Sequence, residues 1–217
     1  IGPSTRHGPV VISEIMYHPT NRLDGKDLEY LELYNSNPYS EDLSGYRLSG
    51  EVDFTFPPNT VLGARSYLVF AAVPADIQSV YGIGNVTGPY TNKLSNSAGT
   101  VRLRNREGGI VFEVNYSSDP PWHVAPDGAG HSLALSRPSL GEHNPDAWAA
   151  SDVVGGSPGV NGFERVAAHF ADDAYQVDHG VDTLHGGGQR GGVGDRPGAE
   201  FERVVTGKTV QRWRLRI

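Results

Sequence analysis

Two segments near the start of the chain limit its fold most. Val10-Val11-Ile12-Ser13-Glu14-Ile15-Met16-Tyr17 and Glu29-Tyr30-Leu31-Glu32-Leu33-Tyr34-Asn35 both alternate in side-chain type. A period of two is that of a β-strand with one buried face, and it is incompatible with an amphipathic helix. A polar loop joins the two, so they are expected to pair. Both carry carboxylates, Glu14 in the first and Glu29 and Glu32 in the second, expected to share one face. They form the densest acidic cluster in the chain.

The rest of the chain continues in the same manner. Asp42 to Ser49 reads as a turn entering a strand, and Phe54-Thr55-Phe56 as a short strand stopped by Pro57-Pro58. Proline has no N–H to give to a ladder. Ser66 to Ala72 is the most apolar strand and is expected to be the most central. Asp76 to Tyr81 reads as one helical turn. Further strands are expected at Val86–Tyr90, Leu94–Asn96, Thr100–Arg104, Gly109–Tyr116 and Ser132–Ser136. Asn105-Arg106-Glu107-Gly108 reads as a hairpin turn, with Gly108 or Gly109 at positive φ. Short strands at this spacing, separated by Gly/Pro turns, predict an antiparallel sandwich. Val11, Ile15, Leu31, Leu33, Leu68, Phe70, Val101, Leu103, Phe112, Leu133 and Leu135 are its expected core.

At 217 residues the chain is long enough to bury a core without covalent staples. It has no cysteine, which excludes disulfides and thiolate metal sites. Residues 1–163 hold 10 Lys and Arg against 17 Asp and Glu, whereas residues 164–217 hold 8 of each. The whole net charge of −7 therefore lies in the first part, and no nucleic-acid footprint is expected there. A basic end, Arg203 to Arg216, leaves salt-sensitive DNA binding open for the last segment. No apolar run approaches a membrane span of roughly 20 residues. The chain begins at Ile1 and is expected to be part of a longer protein. Three parts are expected: an extension over 1–8, a sandwich over 9–160, and a Gly-rich flexible tail over 161–217.

Candidate chemistry is sparse. Glu14, Asp24, Asp27, Glu29 and Glu32 bring hard oxygen donors from strand ends and a loop, which is the donor type that Ca²⁺ takes. The alternative is a solvated strand face with a polar loop, since no EF-hand order is present. Beyond that calcium set no cofactor is expected. Trp122, after Asp119-Pro120-Pro121, is a candidate aromatic platform for carbohydrate; the alternative is that it seals the sandwich. The eight histidines lack metal-binding spacing, and there is no Gly-x-Ser-x-Gly nucleophile motif. Paired carboxylates for glycoside hydrolysis need a cleft that nothing in the sequence marks.

Several motifs in order resemble one family. The segments 10–19 and 29–35 look like the start of the bacterial lamin-tail domain. Asp42-Leu43-Ser44-Gly45-Tyr46-Arg47-Leu48 resembles its DLSGW-x-L turn, with tyrosine for tryptophan. Phe54 to Thr60 resembles its F-x-FP-x-GT segment, and Leu94-Ser95-Asn96-Ser97-Ala98-Gly99 its LSNSGE. Asp127 to Leu135, Asn144 to Ser151 and Gly156-Ser157-Pro158-Gly159 resemble its closing motifs. The resemblance implies an all-β, immunoglobulin-like antiparallel β-sandwich without a catalytic centre. It also implies an accessory or adhesion role in large exported or cell-surface bacterial proteins. Nuclear lamin tails bind DNA and chromatin partners, but the acidic domain here argues against carrying that over. The resulting expectation is a non-catalytic interaction domain, extracellular or at the cell surface, making protein or polysaccharide contacts. The alternative is a targeting domain for a hydrolase elsewhere in a longer chain.

Overall fold

The computed structural model of the chain describes residues 8–136 and 141–160. The expected tail and all but the last residue of the expected N-terminal extension lie outside these, as does the basic end. Along the chain run β1 (Val10–Met16), β2 (Tyr30–Asn35), β3 (Glu41–Asp42), β4 (Arg47–Gly50), β5 (Val52–Thr55), β6 (Val61–Leu62) and β7 (Tyr67–Ala71). Then follow α1 (Pro74–Tyr81), β8 (Val86–Thr87), β9 (Thr91–Asn92), β10 (Ala98–Arg104), β11 (Ile110–Ser117), β12 (Leu133–Leu135) and β13 (Trp148–Ala150).

Among the described residues these strands form a six-stranded sheet, β13-β12-β1-β2-β7-β8, a five-stranded sheet, β11-β10-β4-β5-β9, and a small β3-β6 pair. All pairings are antiparallel except β7 with β8. The two large sheets share one core. Ile15, Leu31, Leu33, Phe70, Leu133 and Leu135 from the first meet Leu48, Val52, Val101, Leu103, Phe112 and Val114 from the second. The molecule is thus the expected β-sandwich. Its predicted core residues are all buried there except Leu68, which is half-buried against it.

The six-stranded sheet differs from expectation in one respect that shapes everything else: it is buried on both faces. Met16, Tyr30, Val69 and Ala71 form a second apolar cluster with Ile77 of α1. The helix lies over this outer face. Pro74 at its start suits a position whose N–H is unpaired in any helix. Gly82 ends it in the left-handed conformation, with its N–H on the Gln78 carbonyl. Eight residues long, it is more than the single turn expected.

Double burial also explains a misplaced strand. The apolar run of β7 was expected at the sheet centre, yet β7 lies second from the edge. Phe70 faces the main core while Val69 and Ala71 face α1, so the run records two covered faces rather than centrality. Residues 94–96 form no strand; β9 pairs with β5 instead, and Leu94 is a buried anchor. The hairpin between β10 and β11 is as expected, with Gly108 at φ +86° and its N–H on the Asn105 carbonyl.

Phe70 is fully buried, with ring centroids 4.9 Å from Phe56 and 5.5 Å from Phe54. Phe70→Ala is expected to lower the unfolding free energy by about 3–5 kcal/mol in urea titrations.

Candidate functional site

Glu14 and Glu32 sit directly opposite each other in the β1–β2 register. The register slips by one residue between Ile12 and Glu14, leaving Ser13 as the extra residue of a bulge. From there the Ser13 hydroxyl donates to Glu32 Oε1 at 2.7 Å. Both carboxylates are almost wholly buried. The closing segment around residues 155–159 covers them. Gly159 N–H donates to Glu32 Oε2 at 2.6 Å, and Ser157 N–H to Glu14 Oε1 at 2.8 Å. The hydroxyls of Tyr30 and Ser132 also donate to Glu14 Oε1, and that of Ser157 to Oε2. Tyr81 of α1 donates to the Gly155 carbonyl, so helix and closing segment are tied together over the sheet.

Burial raises the Glu14 carboxyl above its ordinary range, against the pull of its hydrogen bonds. Burial, and then the charge of Glu14, raises Glu32 well above its ordinary range. Gly156, at φ +77°, packs so close that a Cβ there would overlap the Tyr30 hydroxyl and the Glu14 carboxylate.

Glu29 lies elsewhere. The expectation that it shares a face with Glu32 fails, because residues three apart on an extended chain point to opposite sides. Its Oε1 accepts from the Tyr90 hydroxyl at 2.8 Å and Leu94 N–H at 2.9 Å. Burial raises its carboxyl despite these bonds. Asp27 Oδ1 accepts from Glu29 N–H at 2.9 Å, turning the chain into β2. Asp24 pairs with Arg22 at the surface, which lowers its carboxyl to about 2. The five carboxylates expected to converge are therefore divided: two under the closing segment, one between Tyr90 and Leu94, two in the loop between β1 and β2. Among the described residues no three His, Asp or Glu side chains are grouped so as to hold a metal ion.

Trp122 is no exposed platform. Only 8 % exposed, it belongs to the main core beside Trp148, ring centroids 6.4 Å apart. Trp148 Nε1 donates to the Glu142 carbonyl. A large flat side chain at the end of a small sandwich is better spent excluding water from the core.

A polar cleft of about 420 Å³ lies between the loop joining β1 to β2 and the segment after β9. His18, Asn21, Lys26, Asp27, Glu29, Lys93 and Asn96 are among the residues that line it. His18 Nδ1 lies 2.7 Å from Asp127 Oδ1. Of these residues the sequence singled out Asp27 and Glu29 as candidate ligands. Nothing marks Lys93 or Asn96 as neighbours of residues 18–29, because a loop contact with no periodicity brings them together.

The sequence profile of the Lamin Tail Domain family matches residues 3–118. The chain belongs to the lamin tail domain family. The sandwich is accordingly immunoglobulin-like, as expected. No curated protein matches the chain. In this lamin-tail domain the matched residues stop after β11, yet β12 pairs with β1, β13 pairs with β12, and the closing segment then caps the sheet.

Two outcomes follow for this lamin-tail domain. Trp122→Ala is expected to cost about 3 kcal/mol or more in chemical denaturation. For Glu14 and Glu32, raised values mean that the folded chain holds protons more tightly than the unfolded one. Their contribution is complete below the ordinary glutamate value of 4.5 and is lost as pH rises through the raised folded values. Melting curves from pH 4 to pH 8 are expected to show Glu32→Gln gaining on the natural protein as pH rises. A constant offset between the two would contradict the raised pair.

Proposed function

We propose that this chain is a non-catalytic interaction module of a larger exported or cell-surface bacterial protein, making contacts with proteins or polysaccharides. The family supports the interaction role. The observation that carries the non-catalytic part is the fate of the carboxylates. Glycoside hydrolysis needs two carboxylates flanking a bond in an open cleft. Glu14 and Glu32, the only facing pair among the described residues, lie under residues 155–159 with backbone and hydroxyl donors upon them. They hold structure in place and reach no substrate.

The surface setting rests on the family resemblance of the strand and turn motifs. Among the described residues no helix is long and apolar enough to cross a membrane. A rigid sandwich with loops gathered at its ends presents binding groups on a fixed frame.

The test is a binding screen of the full 217-residue chain against surface polysaccharides and surface proteins, with reducing-end release measured on every sugar bound. Saturable binding without turnover is the expected result. Release of reducing ends above the buffer control overturns the non-catalytic reading. Antibody labelling confined to the interior of the source cells overturns the surface setting.

A further inference from the structure

The polar cleft holds an arrangement that the fold does not require. Glu29 is 5 % exposed and is fixed through one oxygen, Oε1, by Tyr90 and Leu94. Its other oxygen makes no hydrogen bond, while the residue lines the cleft. Among the described residues the buried side-chain oxygen left without a partner is that of Tyr17, so the second Glu29 oxygen opens onto the cleft and is accessible from it. The side chains of Asn21 and Asn96, exposed in the same lining, have no hydrogen-bond partner among the described residues. Each offers one carbonyl and one NH₂ group. Among the described residues neither Lys26 nor Lys93 lies within ion-pair distance of a carboxylate; Lys26 Nζ donates to the Ser79 hydroxyl at 2.7 Å, and the charge of Lys93 acts on Glu29 from across the cleft lining. Two ammonium groups therefore stand beside one cleft, together with the carboxylates of Asp27 and Glu29.

These groups define a ligand by chemistry. The two lysines ask for an anion. Glu29 asks for a hydrogen-bond donor, which a simple anion lacks. The two amides suit groups that both donate and accept. A sugar hydroxyl does both. A metal cation is disfavoured, because two lysines flank the cleft and its carboxylates, Asp27 and Glu29, are not part of any group of three His, Asp or Glu side chains among the described residues. A peptide is disfavoured, because no Phe, Tyr or Trp lines the cleft and Leu28 and Leu94 are already buried, leaving no pocket for an apolar anchor. The volume falls within the range of small-ligand sites. We infer that this cleft binds acidic carbohydrate, the sugar carboxylate held by Lys26 and Lys93 and its hydroxyls by Glu29, Asn21 and Asn96. This rests on the reading of the chain as an interaction module and names the ligand class and site within it.

Calorimetric titration of the full chain with three probes tests this: an α-1,4-linked galacturonate trisaccharide, its methyl ester, and triglutamate. The acid trisaccharide is expected to bind. The ester, which lacks the charge, and triglutamate, which lacks the hydroxyls, are each expected to bind about tenfold more weakly or worse. Lys26→Met and Lys93→Met are each expected to weaken the acid trisaccharide about tenfold at unchanged melting temperature. No binding of the acid trisaccharide at millimolar concentration overturns the inference. So does an ester or triglutamate that binds equally well, or binding indifferent to both lysine changes. If the wider screen still yields another ligand, the cleft assignment falls and the interaction module stands. If neither the screen nor these probes bind, both fall.

Discussion

Glu14 and Glu32 stand opposite each other on neighbouring strands, buried, on a face that a simple sandwich would leave to water. Like charges directly across an antiparallel pair repel, and burial adds the loss of their hydration. Such a pair persists only where donors converge on it. Ser13 from the bulge, Tyr30 from β2, Ser132 ahead of β12, and the backbone of Ser157 and Gly159 supply them. The closing segment must therefore return more than a hundred residues along the chain to the first two strands. With α1 beside it, this return covers the outer face and turns an ordinary exposed sheet into a doubly buried one.

That constraint sets what the rest of the molecule can do. The facing carboxylates are committed to holding chain segments together, so the polar groups free to meet a ligand lie at the loop end. The same principle repeats there on a smaller scale. Glu29 joins the entry to β2 to Tyr90 and Leu94, and one of its oxygens is all this takes. The other oxygen is left to the cleft. Structure and binding are divided between two atoms of one carboxylate, and the rigidity of the first gives the second a fixed position.

The sandwich was legible because a strand announces itself by local alternation. β1, β2, β10 and β11 follow from the residues they contain, and the turn at Gly108 follows from the φ it needs. What was not legible depends on what lies across from a residue. Alternation places Glu32 on the outer face but is silent about a cover for that face, so a solvated carboxylate and a buried one look alike. The apolar run of β7 shows two covered faces only once α1 is seen. Gly156-Ser157-Pro158-Gly159 reads as a motif without showing its purpose, since its partners are 143 residues away for Ser157 and 127 for Gly159. Trp122 left a choice between core and surface that burial decides. Lys93 and Asn96 carry no pattern that would join them to the first loop.

The central claim is that buried carboxylates on β1 and β2 fasten the closing segment through its backbone N–H groups. Amide hydrogen exchange at Ser157 and Gly159, followed by NMR on the full chain, tests this most directly. Both amides are expected to exchange slowly, near the rate of the β1 core. In Glu14→Ala and Glu32→Ala they are expected to lose protection while the β10–β11 amides keep theirs. Fast exchange of Ser157 and Gly159 in the natural protein would contradict the account.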